Sequence, residues 1–225
     1  MPRKSYGIPG YYKTYPDALV RRFANNHSRG IDDIFAISDF AQFCASASRY
    51  RRSVYHTSSH ELKRRGQYAV VTTLFTFLER QSKASAKIMS QLNSNIVINI
   101  SDLKGDLLDR LKVFWIKIYR VRFRKGYLWK RLKNLQAIRN CIVHCDGYAD
   151  ESRDASLLKR LAVRTKGFSL SDGQITLTFA FCDRAKKYVL EFCDEITDAI
   201  HPKIISRIQK RTKRTNTKKK SLTPR

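Results

Sequence analysis

The stretch "LQAIRNCIVHCDGYAD", Leu135 to Asp150, predicts the central helix of the fold. Apolar residues recur every three to four positions from residue 128 onward, which is the spacing of one buried helix face. The glycine of the Asp146-Gly147 pair suits the left-handed residue that often follows a helix C-terminus. We therefore expect a helix from about Tyr127 to this turn, with one apolar stripe made of Leu128, Leu132, Leu135, Ile138 and Ile142.

Three polar side chains interrupt this apolar helix, namely Arg139, Asn140 and His144. Residues four apart lie on the same face of an α-helix, so Asn140 and His144 are stacked one turn apart, and the long Arg139 side chain can swing to that flank. A histidine can give or take a proton near neutral pH. An arginine can bind a phosphate with two hydrogen bonds. The cluster therefore indicates chemistry on a phosphate-containing substrate.

Two further long helices are predicted before this one. The first runs from Glu61 to about Leu92, and Ser58 followed by Glu61 has the spacing of a capping box at its start. The second begins with Ser101 as its cap and continues through Ile118. A shorter helical pattern lies between about Asp32 and Arg52.

The C-terminal third predicts a hairpin and a closing helix. Asp172-Gly173 stands between two short β-prone runs, which is a hairpin signal. The last helix is expected from about Asp183 to Ile200, with Pro202 marking its end. The fold class is therefore all-α, a helical bundle of four to five long helices with a small β-hairpin before the last helix.

The charge of the chain points to a polyanionic partner. The 225 residues hold 45 Lys and Arg against 19 Asp and Glu, a formal net charge of +26. Such an excess attracts nucleic acid. The segment from His201 contains ten Lys and Arg and no acid, and we expect a basic disordered tail over residues 202–225. No apolar run reaches membrane-spanning length, so we expect a cytoplasmic protein with no membrane partner.

A basic stretch, "YRVRFRKGYLWKRLKN" (Tyr119–Asn134), precedes and enters the central helix. Its cations alternate with Tyr119, Phe123, Tyr127 and Trp129. This mixture suits RNA, because cations meet phosphates and aromatic faces stack on bases; the alternative is that the rings belong to the core. The predicted RNA-binding residues are Arg120, Arg122, Arg124, Lys125, Lys130, Arg131 and Lys133.

At Arg139-Asn140 and His144 the chain resembles the HEPN superfamily, whose mark is an arginine, usually a polar residue, and a histidine near the end of an inner helix. The resemblance covers about Ser59 to His201 and includes an acidic residue, Glu79, in an apolar part of the first long helix. It implies a HEPN-like domain over residues 59–201, preceded by a partly helical N-terminal extension, residues 1–58.

The resemblance also implies a function: a metal-independent endoribonuclease that works as a homodimer, either a toxin or a phage-defence effector. His144 is then the general base or acid, Arg139 binds the scissile phosphate, and Asn140 positions the pair. Glu79 and Asp146 are the supporting residues. No cofactor and no metal are expected. An antitoxin or regulatory protein is a further expected partner, although the tyrosine typical of members paired with nucleotidyltransferase antitoxins is replaced here by Asp146.

Three alternatives stay open at this point. Arg139 and His144 can instead form a helix-end salt bridge with Glu79 or Asp146. Some members of the superfamily have lost catalysis and only bind RNA, and a basic nucleic-acid-associated adaptor is a further reading of the charge. By contrast, a zinc site built from Cys141, His144 and Cys145 is disfavoured, because it lacks the paired short spacings that such sites usually show.

Overall fold

The computed structural model describes residues 56–92 and 98–221, together with the single positions Asp32, Ala36 and Asp39. For residues 56–59, 92, 203–204 and 207–221 only the backbone is described. The three single positions are helical and exposed. The rest of the N-terminal extension, including most of the helical pattern expected between Asp32 and Arg52, lies outside the described residues.

The described chain is mostly helical, which confirms the all-α class. Its helices are α1 (His56–Leu92), α2 (Leu107–Lys112), α3 (Tyr127–Cys145), α4 (Ala155–Arg164) and α5 (Phe179–Ser221). Short 3-10 turns occupy Ile100–Asp102 and Ala149–Glu151. The two strands, β1 (Phe168–Ser171) and β2 (Gln174–Leu177), pair antiparallel with Phe168 opposite Leu177. Asp172 and Gly173 form the turn between them, as predicted.

The chain forms two compact units. The first contains α1 up to Gln81 and the segment Lys125–Glu191, and the second contains Ser82–Arg124 and the residues from Phe192 onward. The core of the first unit includes the whole stripe predicted for α3, since Leu128, Leu132, Leu135, Ile138 and Ile142 are all buried. In the second unit the aromatic rings of Phe114 and Trp115 are fully buried and pack edge to face.

Two predicted helix starts are wrong. Helix α1 begins at His56, so Ser58 lies inside the helix and does not cap it. The Glu61 carboxylate pairs instead with Arg64 and Arg65, one turn further along the helix. Helix α2 is capped by Asp106, whose side chain accepts a hydrogen bond from the Asp109 backbone. Asp106 stands directly before the buried leucines, whereas Ser101 lies in the preceding 3-10 turn.

The predicted end of the last helix is also wrong, whereas the second helix reaches Ile118 as predicted. Helix α2 is short and continues as a π-helical turn, Val113–Ile118. Helix α5 passes through Pro202 and its backbone is helical to Ser221, where we expected a disordered tail from residue 202. Pro202 is exposed. At an exposed position the carbonyl left without a proline N–H partner can be hydrated, so the helix can continue.

Helix α4 was not predicted. Its buried residues, Leu158 and Leu161, are three positions apart and supply the expected helical signal. Val163, which is 86% exposed, breaks the apolar pattern at the end of the segment. The helix places Leu161 and Arg164 beside the loop that leads to β1.

Candidate functional site

The motif residues lie in the C-terminal half of α3, within the first unit. Arg139 and Asn140 are half-buried, whereas His144 is exposed one turn further along. Asn140 and His144 share a face because they are four residues apart. The polar residues of the motif therefore become more exposed towards the C-terminal end of α3.

The Arg139 guanidinium is held in place by two neighbours. Its Nη1 atom donates a hydrogen bond to Oδ1 of Asn140 over 3.1 Å. Its central carbon lies 5.8 Å from the centre of the Phe75 ring, within the range of a cation-π contact. Among the described residues, Arg139 forms no ion pair with a carboxylate. The position of its charge is thus fixed by an amide and a ring, which leaves the remaining donors for an anion.

Phe75 is a site residue that the sequence reasoning missed as a neighbour of Arg139. Its ring is buried on the apolar side of α1. Phe75 lies four residues before Glu79, so both side chains occupy the same face of α1. That spacing, an aromatic residue one turn before the acidic residue, was the available signal. Glu79 is half-buried on this face.

Asp146 was expected as a supporting residue, and its side-chain contacts connect it with α1. The residue ends α3 with a left-handed backbone, φ 47° and ψ 28°. Its carboxylate accepts hydrogen bonds from both terminal nitrogens of Arg65, over 2.6 and 3.2 Å. Hydrogen bonding to Asp146, and then to Glu61, raises the pKa of Arg65. The carboxylate of Asp146 thus joins the end of α3 to α1.

The turn after α3 is hydrogen-bonded to β2 and to the hairpin turn that precedes it. The Ile175 N–H donates to the Gly147 carbonyl over 2.8 Å, and the Ala149 N–H donates to the Gly173 carbonyl over 2.8 Å. The Gln174 side-chain amide donates to the Asp146 carbonyl over 2.9 Å. These bonds satisfy backbone groups that a helix end leaves open. They fix the direction in which α3 ends, and with it the place of His144.

Tyr68 of α1 packs against the same turn. Its hydroxyl donates to the Ile175 carbonyl over 2.6 Å. Burial raises the pKa of Tyr68 to about 12, because the phenolate is costly to desolvate. Gly147 has φ 84°, and a Cβ atom built there would collide with the Tyr68 hydroxyl. A glycine is therefore required at this position both for its backbone conformation and for space.

Contacts along α1 and α3 show that the two helices are antiparallel in the first unit. Arg65 is hydrogen-bonded to Asp146, and Tyr68 lies close to Gly147. Further along α1, Phe75 contacts Arg139. The residue numbers thus rise along α1 while they fall along α3. His144 is at the end of this pair, and exposed apolar side chains flank it, with Val143 46% and Tyr148 42% exposed.

The predicted RNA-binding cations are divided between the two units. In the first unit, Lys130 and Arg131 are exposed and Lys133 is half-buried, while Lys125 pairs with Glu191 at 3.3 Å. In the second unit, Arg120, Arg122 and Arg124 are all exposed. Most of the predicted cations are therefore accessible on the unit to which they belong.

The aromatic residues of the basic stretch are largely structural. Tyr119 and Trp129 are buried. Phe123 stacks on Phe192 with ring centres 5.4 Å apart. Tyr127 is exposed, and its hydroxyl donates to Glu191 over 2.9 Å. Of the four rings expected to be available for base stacking, Tyr127 alone presents an exposed face.

The described cysteines are free thiols. Cys141, Cys182 and Cys193 are buried, and Cys145 is half-buried. Burial raises the pKa of Cys141 and of Cys182 to about 12, so both thiols stay protonated at neutral pH. Within the described ranges, no group of three or more His, Cys, Asp or Glu residues is arranged to hold a metal ion.

The helices within the described part of the chain include none that is long and apolar enough to cross a membrane. Comparisons of the sequence with protein-family models and curated proteins, and of the structure with solved structures, gave no match.

Proposed function

We propose that this protein is a metal-independent endoribonuclease of the HEPN type. The observation that carries the proposal is the environment of Arg139. Its half-buried guanidinium is oriented by Asn140 and Phe75, and a histidine is exposed one turn further along the same helix. A fixed cation and an accessible proton carrier on one helix are groups that phosphodiester cleavage can use.

The proposed reaction uses the 2′-hydroxyl of the RNA as nucleophile. A His144 side chain removes the hydroxyl proton, and the 2′-oxygen forms a bond to phosphorus. The bond from phosphorus to the 5′-oxygen breaks, and that oxygen receives a proton from an acid. The products are a 2′,3′-cyclic phosphate and a free 5′-hydroxyl. DNA is not a substrate because it lacks the attacking group.

Arg139 and Asn140 have distinct roles in this reaction. Arg139 binds the scissile phosphate and stabilises the negative charge that it gains during attack. Asn140 does not contact the phosphate in this proposal. It is a positioning residue, since its amide oxygen accepts the hydrogen bond that orients the guanidinium.

The reaction needs a base and an acid, and we propose that two copies of the chain supply them. One copy offers a single His144 at the motif. A two-fold axis beside the open end of α3 brings a second His144 and a second Arg139 to one cleft. The exposed side chains of Val143 and Tyr148 beside His144 are apolar surface that such pairing would cover.

A catalytically silent RNA-binding protein of the same superfamily is the second candidate. The observation that favours it is the charge, since +26 and the exposed cations on both units support RNA binding whether or not the strand is cut. A toxin or a phage-defence effector, with an antitoxin or regulatory protein as partner, is the biological role that fits the catalytic proposal.

The test is incubation of the purified protein with total RNA and with tRNA, in the presence and absence of EDTA. We expect cleavage in both conditions, and His144→Ala should reduce it by at least about a hundredfold. The matched control is His60→Ala, because His60 is also an exposed histidine on a helix. Binding without cleavage by the wild type would favour the silent alternative, and full activity of His144→Ala would refute the catalytic assignment.

A further inference from the structure

A cavity of about 260 Å³ lies on the other side of α3 from Asn140 and His144. It is lined by residues of α3, the end of α4, the loop before β1 and the first turns of α5. Ile138 lines it, and at 100° per residue Asn140 points about 200° away from Ile138 around the helix. The cavity is therefore separate from the proposed cleavage site.

The cavity carries a concentration of positive charge. Arg131, Arg164, Lys166 and Arg184 all line it, and no Asp or Glu is among its lining residues in the described part of the chain. A concave surface with one sign of charge and low-dielectric walls attracts a counter-ion strongly. The feature thus favours an anionic ligand.

The cationic rim is built by specific contacts. The Arg184 side chain donates to the Lys166 carbonyl, and the Thr178 N–H donates to the Gly167 carbonyl over 2.9 Å. The loop that presents Lys166 is therefore held from α5 and from the end of the hairpin. Arg131 lies with its guanidinium 5.7 Å from the Tyr188 ring centre, which fixes the opposite wall.

The remaining wall is apolar. Leu161 and Phe181 are buried and line the cavity together with Ile138. A ligand with only an anionic group would leave this surface without a partner. The volume is slightly below the roughly 300–1,000 Å³ of pockets for larger organic ligands, so the ligand is small.

We propose that this cavity binds a phosphomonoester attached to a compact apolar or aromatic body. A terminal phosphate carries a charge of about −1.5 to −2 at neutral pH and three strong acceptor oxygens, which suits a cavity lined by several cations. The body of the ligand packs on the apolar wall. Such a group is found both on small phosphorylated molecules and at the 5′-phosphorylated end of a nucleic-acid strand, and the two sources share this chemistry.

The test is a calorimetric titration of the whole protein with phenyl phosphate, phenyl sulfate and inorganic phosphate. We expect phenyl phosphate to bind about tenfold or more tightly than either of the other probes, because one lacks the second negative charge and the other lacks the ring. Absence of saturable phenyl phosphate binding would overturn the proposal. Equal affinity for phenyl sulfate or for inorganic phosphate would overturn it as well.

Variants locate the site. Arg164→Ala and Lys166→Ala remove exposed side chains and should each weaken phenyl phosphate binding about tenfold while the circular dichroism spectrum is unchanged. The matched control is Arg160→Ala, an exposed arginine of the same helix that does not line the cavity, which should keep the affinity within about twofold. An equal loss in the control would show general charge attraction and overturn the site.

A second pair of probes identifies the source of the phosphate. Short DNA strands with a 5′-phosphate or a 5′-hydroxyl cannot be cut by the proposed reaction, so their binding is measured without cleavage. A preference for the 5′-phosphate that disappears in Arg164→Ala would identify strand ends as the source. Equal binding of the two strands, with retained phenyl phosphate binding, would identify a free small molecule. Either result is compatible with the phosphomonoester site.

Discussion

At the scale of single residues, the proposed catalytic role of the motif depends on the surroundings of Arg139. A salt bridge with Glu79 or Asp146 was the structural alternative. In the structure, the Asp146 carboxylate pairs with Arg65. The guanidinium of Arg139 contacts the Asn140 amide and the Phe75 ring. These two neutral neighbours orient the guanidinium without neutralising it, which suits the phosphate binding that we propose.

Asn140 tests this interpretation because its replacement changes the orientation of Arg139 without removing the charge. Asn140→Ala should lower RNA cleavage about tenfold, since the guanidinium loses its acceptor. Asn140→Asp should lower cleavage further, because an adjacent carboxylate neutralises the guanidinium. The measurement is single-turnover cleavage of one labelled RNA at saturating enzyme. An alanine variant as active as the wild type would contradict the positioning role, and an aspartate variant as active as the wild type would contradict the need for an unneutralised guanidinium.

Gly147 provides a stability test at the end of the motif helix. Gly147→Ala should destabilise the protein by about 2–4 kcal/mol, because the backbone is left-handed and the new Cβ collides with the Tyr68 hydroxyl. The control is Gly126→Ala, where a Cβ meets nothing within 4 Å and φ is −56°. It should change stability by less than about 1 kcal/mol.

A double variant separates the two causes at Gly147. In Gly147→Ala combined with Tyr68→Phe, the hydroxyl with which the Cβ would collide is gone, while the backbone strain and the 2.9 Å approach to the ring remain. The combined loss should be smaller than the sum of the two single losses by about 1 kcal/mol, as measured by urea unfolding. Simple additivity would show that the collision contributes nothing.

At the scale of the elements, the sequence predicted α3 and the hairpin because their signals are local. The apolar stripe of α3 and the Asp172-Gly173 turn depend on residues a few positions apart. The helix ends depend on tertiary contacts that no local pattern contains. Glu61 was expected to cap a helix, but Arg64 and Arg65 take its carboxylate.

The candidate site was predictable in part for the same reason. The sequence placed Asn140 and His144 on one face of a helix, because that follows from helical periodicity alone. It could not predict that Phe75 packs against Arg139 or that Arg65 binds Asp146, because these pairs are separated by 64 and 81 positions in the chain. Only the antiparallel packing of α1 on α3 brings them together.

The hydrogen bond from the Tyr68 hydroxyl of α1 to the Ile175 carbonyl of β2 leads us to expect that stability depends on pH. The pKa of the Tyr68 hydroxyl is raised to about 12 by burial, against about 10 in an unfolded chain. Its contribution to stability is therefore complete below about pH 10 and is lost as the pH rises through about 12. Tyr68→Phe should be less stable by about 1–2 kcal/mol at neutral pH, because the Ile175 carbonyl loses its donor.

Urea unfolding at several pH values tests this link. Between about pH 10 and 12 the stability of Tyr68→Phe should fall less steeply than that of the wild type, since the variant has no phenol there to ionise. Tyr148→Phe serves as the control because Tyr148 is exposed, and it should follow the wild-type curve. Identical slopes for the wild type and Tyr68→Phe would show that this hydroxyl does not couple ionisation to folding.

At the scale of the whole molecule, cations lie on the exposed surface of the second unit and around the cavity of the first unit. The exposed cations of Arg120, Arg122 and Arg124 on the second unit suit a flexible polyanion, whose binding weakens as salt is added. In the first unit, four cationic residues line one cavity. Binding of RNA and binding of the proposed phosphomonoester should therefore respond differently to salt.

The proposed shared cleft predicts how mixed assemblies behave. Wild type and His144→Ala are tagged differently, mixed in equal amounts under conditions that exchange subunits, and assayed for RNA cleavage at fixed total protein. If the base and the acid come from different copies, only wild-type dimers are active, and the mixture should retain about one quarter of the wild-type activity. Independent sites would leave about one half. The tagged mixed dimer, isolated through both tags, should lose most of the activity, whereas the mixed dimer made with His60→Ala should keep it. A monomer that cleaves RNA at the full rate would refute the shared cleft, because a single His144 would then be sufficient for both proton transfers.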